Sequence, residues 1–140
     1  MQSLDKRDLT LIGATLYLCE GTRVRKLKDG RSHLAIEFTN KDPRTIKLFM
    51  SFMREILRAD EERIKAELFI YPDHNENKLI EFWSKISDIP EGRFNKTIIL
   101  KQKNSKFKPN PNGTLKVRYT HKKHFLKLQG IIDDVFGRVA

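Results

Sequence analysis

The segment Leu11-Ile-Gly-Ala-Thr-Leu-Tyr-Leu-Cys-Glu-Gly21 decides how the rest of the chain can fold. It contains a single charged residue, Glu20, and so it predicts an apolar helix that begins at Asp5 or Asp8 and ends at Glu20. Large apolar side chains cover most of the circumference, which predicts burial on nearly every side. Gly21 stands where a helix commonly ends in a left-handed residue.

Small side chains recur along this helix and would let a second helix approach closely; they are Gly13, Ala14, Thr15 and Cys19. Thr15 and Cys19 are four residues apart and therefore share one face. Cys19 is the only cysteine, so no internal disulfide can form. We interpret it as a small core residue of a cytoplasmic protein. Glu20 is either a solvated residue of the last turn or a functional carboxylate, and this segment leaves both open.

Charge is distributed unevenly along the 140 residues. Residues 93–128 contain eleven basic side chains and no acid, whereas the rest of the chain has 17 basic and 18 acidic side chains. The whole net charge of +10 therefore comes from the C-terminal third. Such segregation is typical of proteins that neutralise phosphates, and it favours nucleic acid over an anionic membrane or an acidic protein. The sequence contains no window of eighteen apolar residues, so no membrane span is predicted.

The hydrophobic periods predict one domain over residues 1–140, of α+β class. We expect helices on one face of an antiparallel or mixed sheet of four to five strands, with the opposite face open and basic. A helix opens at Asp42-Pro43, another contains Trp83, and Thr120 caps the last. Predicted strands span 22–28, 32–39, 63–71, 96–101 and 114–120. Asp29-Gly30 predicts a hairpin between the first two strands.

Several other types of site find little support in the sequence. No glycine-rich phosphate loop follows a strand, and no Ser-His-Asp arrangement is present. Asp73, His74 and Glu76 form a short polar cluster, but a second His or Cys at metal-ligand spacing is missing. We therefore expect no zinc there, and no small-molecule substrate. Trp83 is predicted to anchor the core.

The apolar helix resembles the signature helix of LAGLIDADG homing endonucleases. Residues 13–21 lie over the nine-residue motif of that family, with Glu20 on its final acid and Gly21 on its final glycine. The segment Glu-Phe-Thr-Asn-Lys-Asp-Pro at 37–43 and the basic final strand and helix also look like small members with one motif. The resemblance implies a homodimer whose two signature helices pack through Gly13, Ala14, Thr15 and Cys19.

The resemblance also implies a function, which is metal-dependent hydrolysis of phosphodiester bonds in double-stranded DNA. Glu20 from each chain would bind Mg²⁺ or another divalent cation. Hard cations of this kind take carboxylate, water and phosphate oxygens. Basic side chains near the cleaved bond would offset charge, and their position on predicted strands makes Lys96, Lys101 and Arg118 the candidates. DNA contacts are predicted at Arg23, Arg25, His33, Lys103, Lys106, Lys108, Lys116, Lys122 and Lys123.

Two alternatives remain open at this point. The first is a DNA-binding or transcription-regulatory protein that uses the same scaffold without cleavage. Leu18, where the family often has Asp, favours it, as do Glu37 and Glu67 on the predicted DNA face. The second is an RNA-binding module, which would need exposed aromatic rings such as Phe107 and Tyr119.

Overall fold

The computed structural model describes residues 4–21, 25–26, 32–101 and 109–138. Within these ranges the chain forms four α-helices and six β-strands. The helices are α1 (Lys6–Glu20), α2 (Pro43–Glu55), α3 (Glu76–Ser87) and α4 (Lys122–Phe136). The strands are β1 (Arg25–Lys26), β2 (Ser32–His33), β3 (Ala35–Asn40), β4 (Ile64–Ile70), β5 (Ile98–Ile99) and β6 (Thr114–Thr120). The predicted α+β class is therefore confirmed.

The main sheet has four strands in the order β3-β6-β4-β5. β6 pairs antiparallel with both β3 and β4, whereas β5 runs parallel to β4, so the sheet is mixed. β1 and β2 form a separate antiparallel pair, and the predicted Asp29-Gly30 turn between them lies outside the described residues. The strand predicted over 96–101 is only two residues long. Ile98 and Ile99 are 40% and 56% exposed, since β5 is an edge strand.

The core lies between the helices and one face of this sheet. Apolar residues alternate inward along β4 and β6, as their period of two predicts. α2 contributes Ile46, Phe49, Phe52 and Met53, all predicted as core and all buried. Trp83 of α3 is also fully buried, and its indole N–H donates to the carbonyl of Asn112 at 2.7 Å. The predicted role of Trp83 as a core anchor is confirmed.

Polar side chains cap the N-termini of the helices, and the residue that caps α4 is not the predicted one. Asp5 caps α1 by accepting from the Asp8 N–H at 2.8 Å, and Asp42 caps α2 directly before Pro43. Thr120 does not cap α4, because it still belongs to β6. His121 takes that position instead, and its Nδ1 accepts from the N–H of His124 at 3.1 Å.

Gly21 does not adopt the predicted left-handed conformation. Its φ of −76° and ψ of 156° are extended, and it forms an isolated β-bridge with Phe38. A Cβ atom at this position would lie 2.4 Å from the ring of Tyr17. Glycine is needed here because the ring of Tyr17 lies close to the backbone. The bridge to Phe38 places the end of α1 beside the edge of β3.

Candidate functional site

α1 has a buried face and an exposed face, so the prediction of burial on nearly every side is wrong. Leu9, Gly13, Ala14 and Tyr17 point into the protomer. The buried face is covered by α2, α4 and β3. The other side of α1 lies at the surface of the part of the chain that the structure describes.

The exposed face of α1 is largely apolar. Leu11, Ile12, Thr15 and Leu16 line a shallow depression on it, and Leu18 is 44% exposed. Thr15 and Cys19 of the predicted dimer interface lie on the exposed side of the helix. Cys19 is therefore exposed and is not the core residue that its apolar neighbours indicated. A contiguous apolar patch at the surface, unlike a single apolar side chain, is typical of a contact with another protein.

Gly13 and Ala14 do not share this face with Thr15 and Cys19. Ala14 is fully buried, and the Cα of Gly13 faces the ring of Phe52 so closely that a Cβ would lie 2.1 Å from it. Gly13 thus lets α2 approach α1 within one protomer, and Ala14 also packs inside that protomer. This differs from the predicted arrangement, in which both residues pack against a partner helix.

Glu20 ends α1 with its carboxylate exposed. The side-chain amide N–H of Asn40 donates to Oε2 of Glu20. Asn40 is the last residue of β3, and its own oxygen accepts from the N–H of Asp42 at 2.8 Å. The carboxylate is therefore tied to the point where β3 leads into α2. No basic residue occupies the last turn of α1, so the charge of Glu20 is not neutralised there by its own helix.

The residues around Glu20 fit a divalent cation only if two copies of the chain combine. In the described residues, no group of three or more His, Cys, Asp or Glu side chains comes together to hold a metal. One carboxylate with a neighbouring amide is too small a donor set for Mg²⁺, which takes several oxygen ligands. Two Glu20 carboxylates, with phosphate and water oxygens, would provide a suitable hard-ligand set.

The structure does not bring Lys96 and Lys101 near Glu20 within one protomer. They flank β5, whereas Asn40 and its partner Glu20 lie at β3, on the opposite edge of the sheet. Three strand spacings separate β3 from β5, which is about 14 Å. Arg118 lies on β6 between Glu37 of β3 and Lys65 of β4 in the strand register. A single protomer therefore does not assemble the predicted set of catalytic residues.

Glu37 is almost completely buried, at 1% exposure, on the sheet face directed away from the core. Its Oε2 lies 2.6 Å from Nζ of Lys116. The Tyr17 hydroxyl accepts from the N–H of Glu37, and burial raises the pKa of Tyr17 to about 12. A lysine held in a short ion pair is less available to a phosphate, so the ion pair with Glu37 argues against the predicted role of Lys116 as a DNA contact.

The other predicted DNA contacts fall in three groups. Arg23, Lys103, Lys106 and Lys108 lie outside the described residues, and at Arg25 and His33 only the strand backbone is described. Lys122 and Lys123 are exposed in the first turn of α4. This turn follows Thr120, which pairs with Ala35, so it lies about 17 Å along β3 from Asn40. Outward residues of the described sheet carry both signs of charge: Lys65, Lys116, Arg118, Glu37 and Glu67.

Three aromatic rings stack where β6 leads into α4. The ring centroids of His121 and His124 are 3.9 Å apart, and Tyr119 packs against both. The Tyr119 hydroxyl accepts from the N–H of Asp60 at 2.9 Å and lies 2.7 Å from Nδ1 of His124. Because Tyr119 is fully buried, it cannot stack on an RNA base, which removes one of the two aromatic candidates for RNA binding. The other, Phe107, lies outside the described residues.

His124 is expected to make the stability of the protein depend on pH. Burial, followed by the charges of His121, Lys127 and Arg63, lowers the pKa of His124 below its usual 6.5, while Asp60 acts weakly in the opposite sense. The unfolded chain then binds more protons than the folded chain, so the free energy of unfolding falls as the pH drops below about 6.5. His124→Gln keeps a hydrogen-bond acceptor but cannot titrate.

Urea unfolding of wild type and His124→Gln at pH 7.5 and pH 5.5 measures this dependence. The wild-type protein should lose more stability on acidification than the variant does. Equal losses in the two proteins would assign the acid sensitivity to other groups.

Asn40 is the site residue that sequence reasoning missed. The sequence did place it in the segment 37–43, between a strand and the capped start of α2. A polar residue at the end of a strand is common, however, and its contact with Glu20 spans twenty positions of the chain. Only the packing of α1 beside β3 brings the side chains of Glu20 and Asn40 together.

Comparisons of the chain with protein-family models, with curated proteins and with solved structures gave no match. Among the described residues, no helix is long and apolar enough to cross a membrane.

Proposed function

We propose that this chain is a LAGLIDADG-like protein that binds double-stranded DNA as a homodimer in the cytoplasm and cleaves it with a divalent metal. The observation that carries the proposal is the geometry of α1. Its outer face is exposed and apolar, and it ends in an exposed carboxylate held by Asn40. A second copy packed on that face would place two Glu20 side chains near the twofold axis.

The protein groups in this proposal have separate roles. The paired Glu20 carboxylates hold the cation, and Asn40 keeps each carboxylate from rotating freely. When bound, Mg²⁺ supplies Lewis acidity and lowers the pKa of a water ligand. Lys122 and Lys123 lie far along the sheet from Glu20, so they are assigned to DNA phosphates away from the cleaved bond.

The basic third of the chain supports DNA as the substrate class. Eleven cations without an acid in residues 93–128 give the charge that phosphate neutralisation needs. A protein dimer with twofold symmetry favours a target with an approximate palindrome, because each protomer then contacts an equivalent half-site. The open basic sheet face remains part of the proposal, and Arg23, Arg25 and His33 belong to it only by prediction.

A second candidate is a DNA-binding regulator on the same scaffold, without cleavage. The observation that favours it is the position of Lys96 and Lys101 at the sheet edge opposite β3. Lys116, which lies closer to β3, is in an ion pair with Glu37. Of the described lysines, these three would therefore do little to offset the charge of the transition state beside Glu20.

Cleavage of a randomised duplex library by wild type and Glu20→Gln separates the two candidates. With Mg²⁺, we expect wild type to cut a subset of the library and Glu20→Gln to cut it at least about 100-fold more slowly, since metal activation contributes several kcal/mol. Both proteins should retain the same DNA affinity in EDTA. If neither protein cuts but both bind, the regulator is correct, whereas preferential binding of single-stranded RNA over duplex DNA at fixed salt would overturn both.

A further inference from the structure

Among the residues that the structure describes, the Asn40 amide makes the only hydrogen bond that holds the Glu20 side chain. A glutamate at the C-terminal end of a helix faces the negative end of the helix dipole. It is also exposed, so burial does not restrict its rotamers. A hydrogen bond from a neighbouring amide is the kind of interaction that limits its motion.

An amide orients a carboxylate without cancelling its charge. A lysine or arginine at position 40 would form an ion pair with Glu20 and compete with any cation for it. The Asn40 amide donates one N–H to Oε2 and leaves the full negative charge in place. Oε1 of Glu20 then remains as the oxygen for an external ligand.

Asn40 is itself held from two sides, so its orientation is defined. Its backbone belongs to β3 and lies opposite Leu115, which is fully buried in β6. Its side-chain oxygen accepts from the N–H of Asp42 at the start of α2. With the oxygen so engaged, the amide nitrogen can only point toward Glu20. This is the arrangement by which residues outside a metal's own ligands fix the direction of a ligand.

We propose that Asn40 is a positioning residue that holds Glu20 for a divalent cation at the twofold axis of the dimer. This inference rests on the proposed function, because it presupposes the paired Glu20 carboxylates. It assigns to Asn40 a role in metal affinity that goes beyond its contact with the start of α2. Asn40 does not touch substrate, and it acts only through Glu20.

Asn40→Leu tests the inference, because leucine has a similar shape but neither donates nor accepts. The matched control is Asp42→Ala. It removes the side-chain cap that Asp42 forms on the N–H of Arg44 at 2.9 Å and costs about 1 kcal/mol of stability, yet it leaves the bond between Asn40 and Glu20 intact. Thermal unfolding of both variants establishes that each is folded at the temperature of the measurement.

Mn²⁺ alone, added to the full-length protein without DNA, is the probe. Its binding near Glu20 broadens the NMR signal of the Gly21 backbone amide, and a titration gives the affinity. We expect Asn40→Leu to weaken Mn²⁺ binding by about 10-fold or more, as loss of such supporting contacts typically does. Asp42→Ala should stay within about twofold of wild type, and Glu20→Gln should abolish the broadening.

The possible results distinguish this inference from the function on which it rests. If wild type binds Mn²⁺ at Glu20 and Asn40→Leu binds it equally well, Asn40 has no positioning role, while the metal site survives. If Asp42→Ala weakens binding as much as Asn40→Leu, the effect follows stability and the inference is wrong. If wild type shows no broadening at Gly21, the metal part of the proposed function falls, and this inference falls with it.

Discussion

Replacement of Thr15 by arginine is expected to convert the proposed dimer into a monomer. Thr15 is exposed in the middle of the apolar face of α1, between Leu11 and Cys19. A guanidinium in an interface between two such faces would be buried without a partner, and its symmetry mate would lie close to it. A buried unpaired charge costs several kcal/mol, so the dissociation constant should rise by about 1000-fold. Analytical ultracentrifugation over a concentration series measures it.

Thr10→Arg is the matched control for this experiment. Both threonines donate their hydroxyl to the carbonyl four residues earlier, at 2.7 Å in each case. Both substitutions therefore remove the same bond from the same helix. Thr10 lies near the N-terminal end of α1 and is half-buried on the side of Gly13, Ala14 and Tyr17, so thermal unfolding must first show that Thr10→Arg is folded. Thr10→Arg should remain dimeric.

Cys19 provides an independent measurement of the same interface. Cys19 is exposed one turn beyond Thr15, so the Cys19 side chains of two protomers should approach each other across the proposed twofold axis. A short bismaleimide should crosslink the wild-type protein and fail to crosslink Thr15→Arg. A wild-type protein that stays monomeric at high concentration, or that does not crosslink, would contradict the proposed dimer and with it the paired Glu20 site.

The sequence predicted the fold class and most of the core because local patterns determine both. The period of two along β4 and β6 and the helical period of α2 each bury one face, and Asp42-Pro43 marks the start of a helix by its own chemistry. These features need no knowledge of which elements are neighbours. They depend on the burial of apolar side chains and on satisfying the first N–H groups of a helix.

The faces of α1 could not be assigned from sequence, because apolar residues surround it almost completely. Which small residue faces α2 and which faces outward depends on how α1 packs, and that is a tertiary property. Phe52 occupies the space beside Gly13, so the glycine serves the protomer and leaves Thr15 and Cys19 outside. Cys19 was interpreted as a core residue for the same reason.

The candidate site was only partly predictable because its contacts cross long stretches of chain. The position of Glu20 in a motif identifies it from the sequence. Asn40 cannot be identified in this way, because it reaches Glu20 only through the folding of β3 beside the end of α1. Their place on a predicted strand makes Lys96 and Lys101 candidates for catalysis. The strand order puts them at the edge of the sheet opposite β3, far from Glu20. Strand order follows from the whole topology, which no local pattern encodes.

Gly13→Ala is expected to destabilise the protein by about 2–3 kcal/mol, although alanine is the better helix former. A Cβ would lie 2.1 Å from Cδ1 of Phe52, which is fully buried. Phe52 cannot easily withdraw, since its ring packs against Phe49, and Phe49 stacks on Phe38 with centroids 4.2 Å apart. The added methyl group must therefore push α1 away from α2 or disturb three aromatic rings.

Gly130→Ala in α4 is the control, because a Cβ at Gly130 meets nothing within 4 Å. This substitution should stabilise the protein by about 0.5–1 kcal/mol, through the lower entropy of the unfolded chain. Both changes are measured by urea unfolding at several protein concentrations, so that any contribution from subunit association is separated from the stability of the protomer. Equal stabilisation by the two substitutions would mean that Gly13 does not pack on Phe52.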